Sequence, residues 1–282
     1  MKYLLVGNKG QLGKGFEVYF KKNQITYLGV DKKELDITNP EKVVELFKKE
    51  KPDVVINCAA YNLVDKAENE ISSAHSVNER GVRNISKECN KYGSFLVHFS
   101  TNYVFDGKSN KPYKESDKTN PLSVYGKSKL AGEIAMQEEL EKNKYLIFRL
   151  SWLYGDGEQN FIYKFMKRVK NNEKLMGTID EKSTPTCTKL VVDVTMKALE
   201  KELTGLYHLA GSGTTSRWGW ANEILNILKI DKKIEKVSIN KFNLPAKRPI
   251  NATLDNSKIQ KDLNIKIPHW EDRLEKFLKE IY

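Results

Sequence analysis

The sequence predicts an α/β protein built on a doubly wound parallel sheet with a smaller C-terminal lobe, on three observations. Short apolar runs alternate with longer helix-like segments through the first half of the 282-residue chain. Those runs are almost continuously apolar, as expected of strands covered on both faces. A glycine-spaced turn joins the first run to the first helix.

The strand-like runs lie at residues 3–6, 26–30, 54–57, 95–100 and 146–150. Helix-like segments fall between them, from Gln11 into Lys21, then at 40–50, 74–92 and 122–141. Asn39-Pro40 is a strong helix start, with Asn as the cap and Pro in the first turn. The second half is less regular. Helices are expected at 160–170 and 191–202, with two more at the C-terminus after residues 218–228 and a loop-rich stretch around Pro245 and Pro249. A late strand at 206–209 reads as a return to the main sheet. The expected division is therefore a nucleotide-binding domain of residues 1–151, rejoined by 187–210, and a substrate-facing lobe of 152–186 and 211–282.

Composition bounds the function. Hydrophobic residues make up 39% and charged residues 30%, which suits a globular protein. No apolar run is long enough to span a bilayer, and the segment at 3–6 is too short for a signal-peptide core. Cys58, Cys89 and Cys187 are odd in number and widely spaced, which disfavours a disulfide framework and fits a reduced cytoplasm. The four histidines lie far apart, so no metal site is expected. The net charge of +11 is carried mainly by lysines that alternate with acids along helix-like stretches. That is the pattern of a solvated helix face rather than a nucleic-acid surface, and it also favours phosphate-bearing ligands.

The turn reads Gly7-Asn8-Lys9-Gly10-Gln11-Leu12-Gly13. Glycines allow a tight turn and close backbone approach to a pyrophosphate, while the helix N-terminus offers free N–H groups. Gly7, Gly10, Gln11, Leu12 and Gly13 are the expected dinucleotide loop. Asp31 ends the second strand, at the spacing where an acid meets the adenosine ribose. An acid there favours NADH, whereas Lys32 and Lys33 suit the 2′-phosphate of NADPH, so either cofactor is expected. Asp36 and Ile37 are candidates for the adenine side, with a turn acid as the plainer reading of Asp36. Ala59 and Ala60 follow the third strand, where small residues let a cofactor ribose pack closely or simply pack a loop.

Tyr125 and Lys129 lie four residues apart and so share a helix face. A nearby ammonium draws a phenol below its usual pKa and makes it a proton donor near neutral pH. Thr101 ends the fourth strand, at the carboxyl edge where open α/β sheets bind ligands. Its hydroxyl can donate to a carbonyl oxygen that gains charge as hydride arrives. Singly, each residue is as readily a cap or an amphipathic face. In this order, downstream of a nucleotide loop, Thr101, Tyr125 and Lys129 predict a hydride-transfer site.

Taken together, several segments resemble the dTDP-4-dehydrorhamnose reductase family of the extended short-chain dehydrogenases/reductases. They are the glycine loop, Asn57-Cys58-Ala59-Ala60-Tyr61, Val64-Asp65-Lys66-Ala67-Glu68, Ser100-Thr101-Asn102-Tyr103-Val104-Phe105-Asp106-Gly107 and Tyr125-Gly126-Lys127-Ser128-Lys129-Leu130-Ala131-Gly132-Glu133. Arg149-Leu150-Ser151-Trp152-Leu153-Tyr154-Gly155, Asn160-Phe161, Pro185-Thr186 and Arg248-Pro249 extend the similarity over nearly the whole chain. The resemblance implies a Rossmann-type fold and reduction of the C4 ketone of dTDP-4-dehydro-6-deoxy-L-mannose by NADPH or NADH, a step of dTDP-rhamnose supply to polysaccharide. It implies catalytic roles for Thr101, Tyr125 and Lys129, cofactor contacts that include Tyr61, Tyr125 and Lys129 (the last at the nicotinamide ribose), and a substrate side of Thr101, Tyr103, Tyr125, Trp152 and Arg248. A dTDP-sugar is then the expected partner, with a homodimer possible. The magnesium site of some members matches no positions here, and Asn102 stands where the family usually has Asp.

Two other enzyme classes share part of this pattern. A sugar-nucleotide dehydratase needs an acid/base pair after the threonine, where this chain has Asn102 and Tyr103. An epimerase needs only the tyrosine, the lysine and a retained cofactor. The third alternative is a cofactor-binding regulatory subunit similar to the β-subunit of methionine adenosyltransferase, because fold does not fix function.

Overall fold

The computed structural model describes all residues, 1–282. Its main sheet takes the strands β1 (Tyr3–Val6), β2 (Tyr27–Val30), β3 (Val54–Asn57), β4 (Phe95–Thr101) and β5 (Tyr145–Leu150). Past β5 come β6 (Leu153–Tyr154), β7 (Met176–Thr178), β8 (Lys182–Ser183) and β9 (Thr186–Cys187), then β10 (Gly205–His208), which completes the main sheet. The sheet order is β10-β5-β4-β3-β1-β2, parallel throughout. The late strand expected at 206–209 thus pairs with β5, shifted by one residue. Two further strands, β11 (Thr215–Ser216) and β12 (Glu235–Val237), form two-stranded pairs with β8 and β7, and β6 pairs with β9.

The helices are α1 (Gln11–Lys22), α2 (Pro40–Glu50), α3 (Val64–Ala67), α4 (Ile71–His75), α5 (Val82–Tyr92), α6 (Val124–Glu139), α7 (Phe161–Lys170), α8 (Thr188–Glu200), α9 (Arg217–Ile227), α10 (Ser257–Leu263) and α11 (Trp270–Ile281). Side-chain caps start several of them. Asn39 accepts from the Lys42 amide at 2.9 Å, Asn160 from Tyr163 at 3.1 Å and Ser216 from Gly219 at 3.0 Å.

Strand residues alternate between two cores because successive side chains point to opposite faces. Leu5, Ile56, Val97 and Phe148 join a core that includes Phe16 and Phe20 of α1 and Val191 of α8. Leu4, Val55, Leu96 and Ile147 join one that includes Val43 and Phe47 of α2, Val82 and Ile85 of α5, and Met136 of α6. Helix packing on both faces is what makes each strand read as a continuous apolar run.

The sequence pattern predicts an unbroken helix over 74–92. The structure instead interposes a π-helical segment, Ser76–Gly81, between α4 and α5. Such a segment opens the helix by one residue per turn. Here it brings the buried Asn78 side chain to the loop at Tyr61 and to Ser128 of α6.

Candidate active site

The carboxyl edge of the sheet opens into a cleft of about 510 Å³. Gly10, Gln11 and Leu12 line one side, Ala59 and Ala60 another, and Thr101, Tyr125, Lys129 and Trp152 complete it. The glycine turn is backbone-limited: Gly7 has φ +79°, and a Cβ there would lie 2.8 Å from the Ala59 amide nitrogen. Helix α1 begins with Gly10 as a cap that brings no side-chain bond, and no acid sits in its first turn. The amides of Gln11, Leu12 and Gly13 find no acceptor within the protein. Three free N–H donors at a positive helix end are a fitting cradle for a pyrophosphate.

Thr101 ends β4, and the 3₁₀ turn Asn102–Val104 follows, with the Tyr103 amide donating to the Thr101 hydroxyl at 3.2 Å. Gly126 lets α6 come against this turn, since a Cβ at 126 would overlap the Tyr103 carbonyl oxygen. Ser123 caps α6 by accepting from the Gly126 amide at 3.1 Å. The helix thereby brings Tyr125 into the same cleft as Thr101, whose side chain draws the phenol pKa down against the effect of burial. Tyr103 stands edge-on to Tyr125, with ring centres 5.8 Å apart at 76°.

Lys129 is only 2% exposed. Its amine donates to the Phe99 carbonyl at 2.6 Å and lies 3.3 Å from Nε2 of His98. Burial pulls its pKa down to about 8, against the upward pull of Glu133. The expectation that this ammonium depresses the tyrosine is not met in the structure. Burial raises Tyr125 above its ordinary value, and Thr101 opposes that only in part. The Lys129 amine lines the same cleft but is engaged by the Phe99 carbonyl and faces His98.

The other expected residues divide. Trp152 is buried, has the unusual φ of +35° and stacks on Trp220 at 5.8 Å. Asp31 sits beyond the cleft and binds its own turn, accepting from the Lys33 amide at 2.7 Å. Asp36 likewise accepts from the Thr38 hydroxyl and amide, at 2.7 and 3.0 Å. Burial presses its pKa upward, yet those bonds outweigh it and hold the carboxyl below its usual value. Ile37 is core, packed against Gly81, so its side chain is not turned to a ligand. Tyr61 donates its hydroxyl to Glu70 at 2.7 Å and does not line the cleft. Arg248 is paired in a two-pronged bond with Asp65, at 3.0 and 2.7 Å.

Several side chains at the site carried no sequence signal. Arg217 lays its guanidinium on the Trp152 ring at 3.7 Å and forms a 3.7 Å ion pair with the buried Glu181. Glu181 also lies 3.5 Å from the Tyr103 hydroxyl. Asn57 and His98 sit behind Lys129. No local pattern marks these contacts, which join residues far apart in the chain.

The whole chain, residues 1–282, matches the family described as RmlD substrate binding domain. The dTDP-4-dehydrorhamnose reductase of Escherichia coli K12 is 34% identical, with 100% of this chain and 98% of that protein covered. That of Salmonella typhimurium LT2 is 36% identical over the same shares. A crystal structure of a dTDP-4-dehydrorhamnose reductase from Clostridium acetobutylicum has a TM-score of 0.95 at 35% identity, covering 100% of this chain and 99% of that one. The Bacillus anthracis dTDP-4-dehydrorhamnose reductase, solved in complex with NADP, has a TM-score of 0.95 at 32% identity, with 99% of each chain covered.

Proposed function

The chain belongs to the dTDP-4-dehydrorhamnose reductase family, and on that premise we propose that it reduces the C4 ketone of dTDP-4-dehydro-6-deoxy-L-mannose to dTDP-L-rhamnose. The cofactor is NADPH or NADH. The observation that carries the reading is that Thr101, Tyr125 and Lys129 line one cleft with the start of the glycine-turn helix.

In this reading the amides of Gln11, Leu12 and Gly13 hold the cofactor pyrophosphate, and Ala59 and Ala60 flank its ribose. When bound, a dihydronicotinamide supplies hydride to the carbonyl carbon. Thr101 and Tyr125 act at the carbonyl oxygen. The threonine hydroxyl steadies the charge that develops there, and the tyrosine gives up its proton to it. Thr101 also favours the phenolate left behind, as its downward pull on the Tyr125 pKa indicates. Lys129 lines the same cleft and in its charged form would bind the nicotinamide ribose.

Trp152 provides an apolar platform for the sugar ring, with Tyr103 at its side. Arg217 and Arg248 are the cations available to the diphosphate. For Arg248 this requires exchanging one or both bonds to Asp65. Segments 152–186 and 211–282 make up the substrate-facing lobe in this reading.

The test is to supply the 4-keto sugar nucleotide with NADH or NADPH, follow loss of dihydronicotinamide absorbance and identify dTDP-L-rhamnose. Cofactor binding without turnover of that substrate would instead support a purely binding role.

A further inference from the structure

Behind the cleft runs a chain of four polar contacts whose donors and acceptors can be assigned in order. The Ala59 amide reaches Oδ1 of Asn57 at 3.1 Å. Because an amide N–H only donates, the atom facing it must be the Asn57 oxygen, which fixes the orientation of that side chain. Nδ2 of Asn57 then faces Nδ1 of His98 at 3.2 Å. An NH₂ group donates, so Nδ1 must accept, and the proton of a neutral imidazole is forced onto Nε2. Nε2 lies 3.3 Å from the amine of Lys129, which itself donates to the Phe99 carbonyl at 2.6 Å.

An N–H at Nε2 can donate to the amine only through the lone pair of an uncharged lysine. An ammonium has no lone pair, and would require Nε2 to accept and the ring proton to sit on Nδ1. That proton would face the NH₂ of Asn57, donor against donor. The two ends of the imidazole thus report on each other, and the ring is wholly buried, with no space to swing out of line.

We propose that His98 is a positioning residue whose tautomer is tied to the charge of Lys129. The uncharged amine goes with Nε2–H, the ammonium goes with Nδ1–H, and Asn57 biases the pair toward the uncharged amine. The change is balanced by one solvent proton. Lys129 gains an N–H, the ring loses its proton at Nε2 and gains one at Nδ1, and the imidazole stays neutral throughout.

Burial holds His98 itself far below its ordinary pKa, with the Lys129 charge adding to the effect, so the ring does not become an imidazolium in the working range. The other titratable groups facing the pair are Cys58 after β3, whose thiol burial keeps protonated, and Glu133 on α6, which is neutralised by Arg149 of β5. Because Asn57 also holds the Ala59 amide, the charge of Lys129 is coupled to the loop that lines the cofactor side of the cleft.

The decisive measurement is nitrogen NMR of the four histidines in ¹⁵N-labelled wild-type protein, titrated from pH 6 to about 10. The expected result is a neutral His98 that carries its proton on Nδ1 at low pH and on Nε2 at high pH, crossing near pH 8 as Lys129 titrates. A single tautomer throughout, or an imidazolium signal, would overturn the proposal. This readout needs no turnover, so its failure is separate from failure of the reductase reading.

The consequence for catalysis does rest on that reading. A carboxylate at 57 accepts from both the Ala59 amide and Nδ1–H, which reverses the chain and favours the ammonium. Asn57→Asp is expected to fix the Nδ1–H tautomer and move the alkaline limb of the kcat profile upward by about one pH unit or more. An unmoved limb in a folded Asn57→Asp protein with the wild-type tautomer pattern would also overturn the assignment.

Discussion

The Asn102 side chain donates to the Ala252 carbonyl at 2.9 Å, a bond between residues 150 positions apart. It donates equally, at 2.9 Å, to the Ser183 hydroxyl. One buried amide therefore ties the end of the catalytic strand to two segments that follow it in the chain. The position usually carries Asp in the family, and the bond explains what Asn supplies in this chain. A carboxylate has no hydrogen to offer the Ala252 carbonyl and would face it with like charge. Asn102→Asp is expected to lower the unfolding free energy by about 1–3 kcal/mol at neutral pH. Urea unfolding at pH 7 and pH 5 checks this, and the loss should shrink at the lower pH, where the carboxyl regains a proton. A variant as stable as the wild type would mean that neighbouring groups replace the lost donor.

The phenol of Tyr125 lines the cleft together with Thr101. Tyr125→Phe keeps the ring and its edge contact with Tyr103 but removes the transferable proton. Turnover should fall by about 10²-fold or more, with cofactor affinity nearly unchanged. Because burial keeps Tyr125 protonated above its ordinary range, the tyrosine itself does not limit the rate on the alkaline side. The activity should instead decline as pH rises through about 8, where Lys129 loses its charge. A flat profile to pH 10, or a Tyr125→Phe enzyme of wild-type rate, would remove these roles.

The sheet was legible because each of its strands is covered on both faces and so is marked by an unbroken apolar run. Residues 3–6 and 54–57 are strands to the residue, and Asn39-Pro40 begins α2 as its cap chemistry dictates. The π-helical segment was not legible, since Ser76–Gly81 holds one apolar side chain, Val77, too few to set a period, while its Asn78 bonds to groups far away in the chain. At the site, short-range spacing brought Tyr125 and Lys129 to one helix but did not show what their polar ends meet. The partners of Lys129, Arg217 and Arg248 are His98, Glu181 and Asp65, each more than 30 residues distant in sequence, where no periodicity reaches.

A buried ammonium should also leave a signature in stability. The folded-state pKa of Lys129 lies near 8, depressed from 10.5, so between those values the native chain binds fewer protons than the unfolded chain. Stability from this residue therefore rises as pH increases from about 8 to 10.5, by about 3 kcal/mol, and the penalty is present in full below pH 8. Lys129→Met removes the penalty along with the charge. The difference in unfolding free energy between variant and wild type should be most favourable to Met near pH 7 and shrink toward pH 10. A difference that does not change with pH would contradict the depressed value. Turnover should be lost at every pH.

Glu133 lies one turn after Lys129 on α6, and it binds Arg149 of β5 through three contacts of 2.7 to 3.2 Å, with both side chains at most 5% exposed. Ser100, next to Thr101, donates to the same carboxylate. The pair therefore fixes how α6 sits against the catalytic strand. Breaking one side of a buried ion pair strands the other charge in a medium that solvates it poorly, whereas removing both exposes no bare charge. Glu133→Gln is expected to cost about 3–5 kcal/mol and to lower turnover by shifting Tyr125 relative to Thr101. The double variant Glu133→Leu with Arg149→Met should recover most of that stability but less of the rate, because the helix then lacks its directional anchor. Adding the single variants Glu133→Leu and Arg149→Met completes a double-mutant cycle of urea unfolding that, run beside kcat, separates the two effects. If the single and double variants were equally destabilised, the cost would lie in packing around position 133, and the ion pair would have no part in holding the helix.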